Sequence, residues 1–195
     1  MAPYHSWCPQ PIPNVTTRCG FVGVQLRSPL YHMPNNVTAA VVHVTGLGMY
    51  ELYLNGKKLG DAVLDPGFST NFTERMLYSS FDATAQLVDA MQVVLAARVG
   101  AGKYSLGLSP PVFALLAQLV LTCADGSTVT LATDASWRQA SSPITYENLY
   151  QGEIYDARLE QPQWSATGGS TWQPVRVIPK PVPGVLSPQL QPRVS

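Results

Sequence analysis

Two stretches of the chain carry side chains able to do chemistry. The first, Asp61 to Arg75, sets carboxylates, an amide and a guanidinium on what reads as irregular backbone, the setting in which binding residues concentrate. The second, Gly152-Glu153-Ile154-Tyr155-Asp156-Ala157-Arg158, offers Glu153 and Asp156 as candidate carboxyls. Acid–base work across a bond needs two such groups about 5 to 10 Å apart. On extended backbone, however, Asp156 and Arg158 point the same way, and an ion pair that fixes a loop is the simpler reading. No catalytic residue is assigned on this basis.

Other chemistries find less. His5, His32 and His43 are isolated, and His43, among valines, reads as a core or edge histidine. No serine or cysteine lies in a G-x-S-x-G context. Gly100-x-Gly102 is too short for a dinucleotide site and reads as a turn. The three cysteines, Cys8, Cys19 and Cys123, give no metal-ligand spacing. Cys8 and Cys19 can pair in an oxidising compartment, whereas Cys123, inside an apolar strand, reads as a buried thiol. Sequons at Asn14, Asn36 and Asn71 are weak evidence of export.

Composition narrows the classes further. The 195 residues suit one domain with tails, long enough to bury about 70% of the unfolded surface. Only 12% are charged, and the twelve basic and twelve acidic residues cancel to a formal net charge of zero. Basic residues spread singly along such a chain make no phosphate-binding patch, so nucleic acid and anionic membrane surfaces are not expected partners. No apolar run reaches the length of a membrane span, and the first residues lack the basic and apolar regions of a signal peptide. The compartment is left open.

The elements that must position the candidate residues read as short strands. Ala40 to Thr45 is aliphatic on both faces; Met49 to Leu54 puts Tyr50, Leu52 and Leu54 on one face and Met49, Glu51 and Tyr53 on the other. Asn55-Gly56 then predicts a tight hairpin, because both residues tolerate positive φ. Phe21 to Leu26, Met76 to Phe81, Gln92 to Val99, Val112 to Cys123, Thr128 to Ala132, a short strand ending at Trp137, and Val175 to Ile178 complete the set, with Asp-Gly turning the chain at 124–127. Asp82 starts a helix of one or two turns through Leu87 and Val88. The expected fold is all-β, an antiparallel jelly-roll β-sandwich of galactose-binding-like kind with one short helix. Its expected limits are a Pro-rich arm over 1–19, the sandwich over 20–178 and a Pro-rich linker over 179–195.

Three blocks carry a resemblance. Leu52 to Asp82, with Tyr50 and Glu51 before it, shares Asn55, Gly56, Gly60, Asp61, Leu64, Pro66, Gly67, Arg75, Tyr78 and Asp82 with a pattern that runs roughly Y-E-L-x-L-N-G-x-x-V-G-D-x-x-L-x-P-G-W-T-x-Y-x-x-R-x-x-Y-x-x-Y-D. Ala117 to Trp137 resembles L-x-x-x-Y-x-D-G followed by T-D-x-S-W, and Tyr150 to Glu160 is similar to Y-x-G-E-x-Y-D-A-R. Together they resemble the N-terminal β-sandwich domain of bacterial α-L-rhamnosidases.

The resemblance implies a noncatalytic carbohydrate-binding or accessory module, with a structural or interaction domain that binds no sugar as the alternative. It also implies a longer parent chain, since catalysis in that family belongs to a helical barrel further along. Some modules of this kind bind L-rhamnose with calcium; on that basis Asp65, Asn71, Glu74, Arg75, Glu153 and Asp156 are the expected sugar contacts, a rhamnose-containing glycan the expected partner, and calcium the expected ion. The chain departs from the family at Phe68, where the pattern has tryptophan, and at Gly100 to Tyr104, which replaces G-D-G-W-Y.

Overall fold

The structure, a computed structural model, describes residues 22–67, 71–102, 114–148, 152–168, 172–179 and 183–190. Two sheets face each other. The first has six strands in the order β14 (Gln173–Pro174), β11 (Arg138–Ser141), β1 (Val24–Arg27), β8 (Leu95–Gly100), β4 (Met49–Leu54), β5 (Lys57–Lys58). The second has five: β10 (Thr128–Ala132), β9 (Ala114–Cys123), β3 (Val37–Leu47), β6 (Arg75–Asp82), β15 (Val185–Pro188). Two further pairs are β12 (Ile144–Asn148) with β13 (Gly152–Tyr155), and β2 (Tyr31–His32) with β7 (Gln92–Val93). The β-sandwich expected from the strand pattern is present, with one helix, α1 (Thr84–Leu87), among the described residues. No described helix is long and apolar enough to cross a membrane.

Alternation places the core. Tyr50, Leu52 and Leu54 of β4 and Leu95, Ala97 and Val99 of β8 pack against Val42 and Val44 of β3, Leu119 and Leu121 of β9 and Phe81 of β6. Each buried aliphatic side chain is worth about 1.5–3 kcal/mol relative to exposure. The β3 strand is buried on one face over most of its length: Ala40, Val42 and Val44 are interior, and Val41 and His43 half-buried, so the two-sided cover expected there is partial.

Turn chemistry closes the hairpins. Asn55 and Gly56 have φ of 47° and 86°, the paired left-handed conformations of a two-residue hairpin, and Tyr53 and Leu54 pair with Lys58 and Lys57 across it. At the other hairpin, Asp125 Oδ1 accepts from the Ser127 amide at 2.9 Å while Gly126 takes φ 82°. The helix forms where expected, but its N-cap is Ala83, which makes no side-chain cap bond; Asp82, one residue earlier, accepts from Thr84 N through Oδ1 at 2.9 Å.

Four details differ from the strand pattern expected. The sandwich is not wholly antiparallel, because β15 runs parallel to β6, Val185 opposite Arg75. The same strand lies inside the stretch from 179 expected to be a linker; an edge strand tolerates its terminal Pro188, which has no donor to give, and Gln189 N donates to Tyr78 O at 2.8 Å instead. The last strand expected at Val175 to Ile178 is displaced to Gln173–Pro174, and Trp137 precedes β11 rather than ending a strand. The Pro-rich arm, with Cys8 and Cys19, lies outside the described residues; Cys123 is a buried free thiol.

The two sheets meet at Gly48, between β3 and β4. Its φ is 122°, and a Cβ there would stand 2.0 Å from the Gly100 carbonyl oxygen. Gly126 also has positive φ, 82°, but a Cβ would meet nothing within 4 Å. Gly48→Ala should therefore cost more stability than Gly126→Ala, for which only the left-handed backbone penalty of about 1–2 kcal/mol applies. Parallel urea titrations of the two variants measure the difference.

Candidate functional site

Strand register gathers loops at one end of the sandwich. The last residues of β3 and β8 and the first residues of β4, β6, β9 and β15 all reach it, since Met49 pairs with Gly100, Leu47 with Ala114 and Val185 with Arg75. The β12–β13 hairpin folds against the same end: the Glu147 carboxylate accepts from the Ala101 amide and leaves no room for a Cβ on Gly100. Glu153 stands directly opposite Glu147 in that hairpin.

The expected contact residues divide between this end and the turns that build it. Glu74 and Arg75, at the start of β6, and Glu153, on β13, are exposed. Asn71 is exposed too, but its side-chain oxygen accepts from Thr73 N at 3.0 Å and Thr73 Oγ1 at 2.6 Å, and its carbonyl receives the amides of Glu74 and Arg75. It is the pivot of the turn into β6. Asp65 is buried, 5% exposed; its carbonyl takes the Tyr50 amide at 3.0 Å and its Oδ1 the Ser79 hydroxyl at 3.4 Å. Asp156 holds Arg158 in a two-pronged ion pair, Nε to Oδ1 at 2.8 Å and Nη2 to Oδ2 at 2.7 Å, and also accepts from the Arg158 amide. The pair expected there forms, although a 3-10 turn over Ala157–Leu159, not extended backbone, brings its members together. Phe68 and the segment from Lys103 to Tyr104 lie outside the described residues.

Sequence reasoning missed a second polar group, on the outer face of the six-stranded sheet. There Glu51 accepts from Lys58 Nζ at 2.8 Å and from the Tyr53 hydroxyl at 2.9 Å. Burial works against the charged form of Glu51, but the bonds from Lys58 and Tyr53 outweigh it and hold its carboxyl below the usual range. Tyr53 is pushed up to about 12 by burial and by the Glu51 carboxylate. Beside them the Arg98 guanidinium lies 5.5 Å from the Trp164 ring and 6.0 Å from that of Tyr155, while Trp164 also packs edge-on to Tyr53 at 5.0 Å. Arg27 staples the covering loop, donating to the carbonyls of Trp164, Ala166 and Gly168 and stacking 4.3 Å over Trp172. The signal for this group was the odd-numbered face of the second strand, where Glu51 and Tyr53 alternate with the core residues.

Calcium takes six to eight oxygens. Among the described residues no three or more His, Cys, Asp or Glu side chains come together as a metal site, and Glu147 with Glu153 supplies only two carboxylates. The described residues do not fit that ion by themselves.

Glu147 yields a pH prediction. Burial raises its pKa above the ordinary 4.5, the amide of Ala101 opposes the rise and Glu153 adds to it. A carboxyl raised in the folded state binds its proton more readily there than in the unfolded chain, so the stabilisation it contributes is present at low pH and is lost as pH climbs from 4.5 upward. Glu147→Gln should remove that term. The stability of the unaltered chain relative to this variant should fall as pH rises above 4.5, as followed by denaturation at stepped pH.

The chain has clear relatives. The sequence profile described as the alpha-L-rhamnosidase N-terminal domain matches residues 35–195. An α-L-rhamnosidase of Streptomyces avermitilis is 36% identical over 82% of this chain but only 16% of its own length, and one of Formosa agariphila is 33% identical over 78% of this chain and 17% of its own. Among solved structures, the α-L-rhamnosidase of Dictyoglumus thermophilum superposes with a TM-score of 0.82 at 30% identity, over 95% of this chain and 21% of that one. The Streptomyces avermitilis enzyme complexed with L-rhamnose superposes at 0.76 and 34% identity, over 86% of this chain and 17% of that one. The chain thus spans about one sixth of the curated relatives it matches. With a profile covering most of its length and a solved relative that superposes over 95% of it, the chain belongs to the α-L-rhamnosidase N-terminal domain family.

Proposed function

We propose that the chain is a noncatalytic carbohydrate-binding module, the accessory part of a longer glycoside hydrolase whose helical catalytic domain shares its polypeptide, and that its ligand is a rhamnose-containing glycan. The observation that supports this best is the gathering of Glu74, Arg75 and Glu153, all exposed, at the loop-bearing end of the sandwich. Carboxylates accept from sugar hydroxyls and a guanidinium donates to them, which is the pairing a sugar site uses. Asn71, Asp65 and Asp156 hold the turns that present these groups.

A second reading has its own support. Asp65, Asn71 and Asp156 already have internal partners, as the residues of a domain that supports a catalytic neighbour without touching sugar would.

Calorimetric titration of the full chain with L-rhamnose, with and without calcium, separates the two. The proposal expects heat and a thermal shift at millimolar sugar, weakened about tenfold in Arg75→Ala and Glu153→Gln, the loss of one charge-assisted hydrogen bond being worth about 1.5–3 kcal/mol. Absence of both signals in a folded chain would sink it and leave the supporting role.

A further inference from the structure

On the outer face of the six-stranded sheet, three side chains stand in a row across neighbouring strands. Gln25 of β1 lies opposite Arg98 of β8, and Arg98 lies opposite Glu51 of β4. Gln25 is 0% exposed, yet neither its amide nitrogen nor its amide oxygen meets a protein partner. The Nε of Arg98 next to it is also buried and without one. Native interiors rarely leave such atoms orphaned, because a buried donor or acceptor has given up water and gained nothing in return.

We propose that ordered water is bound between Gln25 and Arg98, one molecule accepting from Arg98 Nε–H and donating to Gln25 Oε1, with the Gln25 amide N–H groups donating to a neighbouring water. The chemistry fits a hydration site: the orphaned atoms are adjacent by register, they include both donors and an acceptor, and a buried water seeks two to four such partners. Glu51 does not fill this role, since its two oxygens are engaged by Lys58 and Tyr53. On the cover side Arg98 meets the rings of Tyr155 and Trp164, and its Nε still has no protein partner. The water completes the layer that fixes the Arg98 guanidinium beside those rings. It thereby holds the covering segment, 152–168, and the β13 strand that bears Glu153, against the sheet.

Gln25→Leu tests the assignment, because leucine occupies similar space but cannot bind water. If the site is hydrated, the variant loses the water's partner and leaves Arg98 Nε more exposed to the cost of burial. Its melting temperature falls by about 2–4 °C or more, and amide exchange accelerates selectively in 152–168. A dry site gives the reverse: exchanging an unsatisfied amide for a buried apolar group raises the melting temperature and leaves exchange in 152–168 unchanged. A high-resolution crystal structure of the unaltered chain decides independently of the variant's folding. Density for water within hydrogen-bonding distance of both Gln25 Oε1 and Arg98 Nε is the expected result; direct contact of the Gln25 amide with a protein group, and no such density, overturns the proposal.

Discussion

The constraint on which the rest of this molecule depends is the two-residue period of its strands. Side chains alternate across a strand, so a strand that buries Leu52 and Leu54 must send Glu51 and Tyr53 the other way. In the five-stranded sheet the back face is left half-buried, and alternation costs nothing there. In the six-stranded sheet the back face receives Gln25, Arg27, Arg98, Glu51 and Tyr53, polar groups that need partners wherever chain passes over them. Tyr155, Trp164, Ala166, Gly168 and Trp172 meet that face and answer part of the need.

The answer is made mostly by two arginines. Arg27 spends its donors on carbonyls of the covering loop and its flat face on Trp172, so a loop without strand pairing is tied to β1 over a separation of more than a hundred residues. Lysine could not replace it, because a compact ammonium offers neither the fork of donors nor the stacking plane. Arg98 lies over ring faces instead: that of Tyr155, at the end of the polar hairpin carrying Glu147 and Glu153, and that of Trp164 in the loop beyond it.

How much of this was legible depended on how far apart the determinants lie. Asn55-Gly56 and Asp125-Gly126 were readable because a left-handed backbone demand is local and few residues meet it. The inward set Tyr50, Leu52 and Leu54 was readable because alternation needs only one strand. By contrast, Gln25, Arg98 and Glu51 are brought side by side by register, which no local pattern states. The β15 strand was hidden by its prolines, whose composition speaks for a linker, while an edge position next to β6 accepts them. The β12–β13 hairpin escaped notice because its exposed strands lack a buried face to impose alternation.

The candidate site shows the same division from another side. Residues named from one resemblance turn out to do two different jobs: Asp65 accepts from Ser79 of β6, and Asn71 and Asp156 accept from donors within their own turns, whereas Glu74 and Glu153 face outward. A family pattern cannot distinguish these jobs, since a turn that fails and a contact that fails are both selected against. The physical difference is what each group does in the absence of ligand. A carboxylate already receiving a backbone amide gives up that bond to engage a hydroxyl and gains little net energy, while an outward group exchanges only bulk water. Under the proposed sugar-binding role, recognition at this end of the sandwich falls to the outward groups, and the turn-bound ones act by fixing where those groups stand.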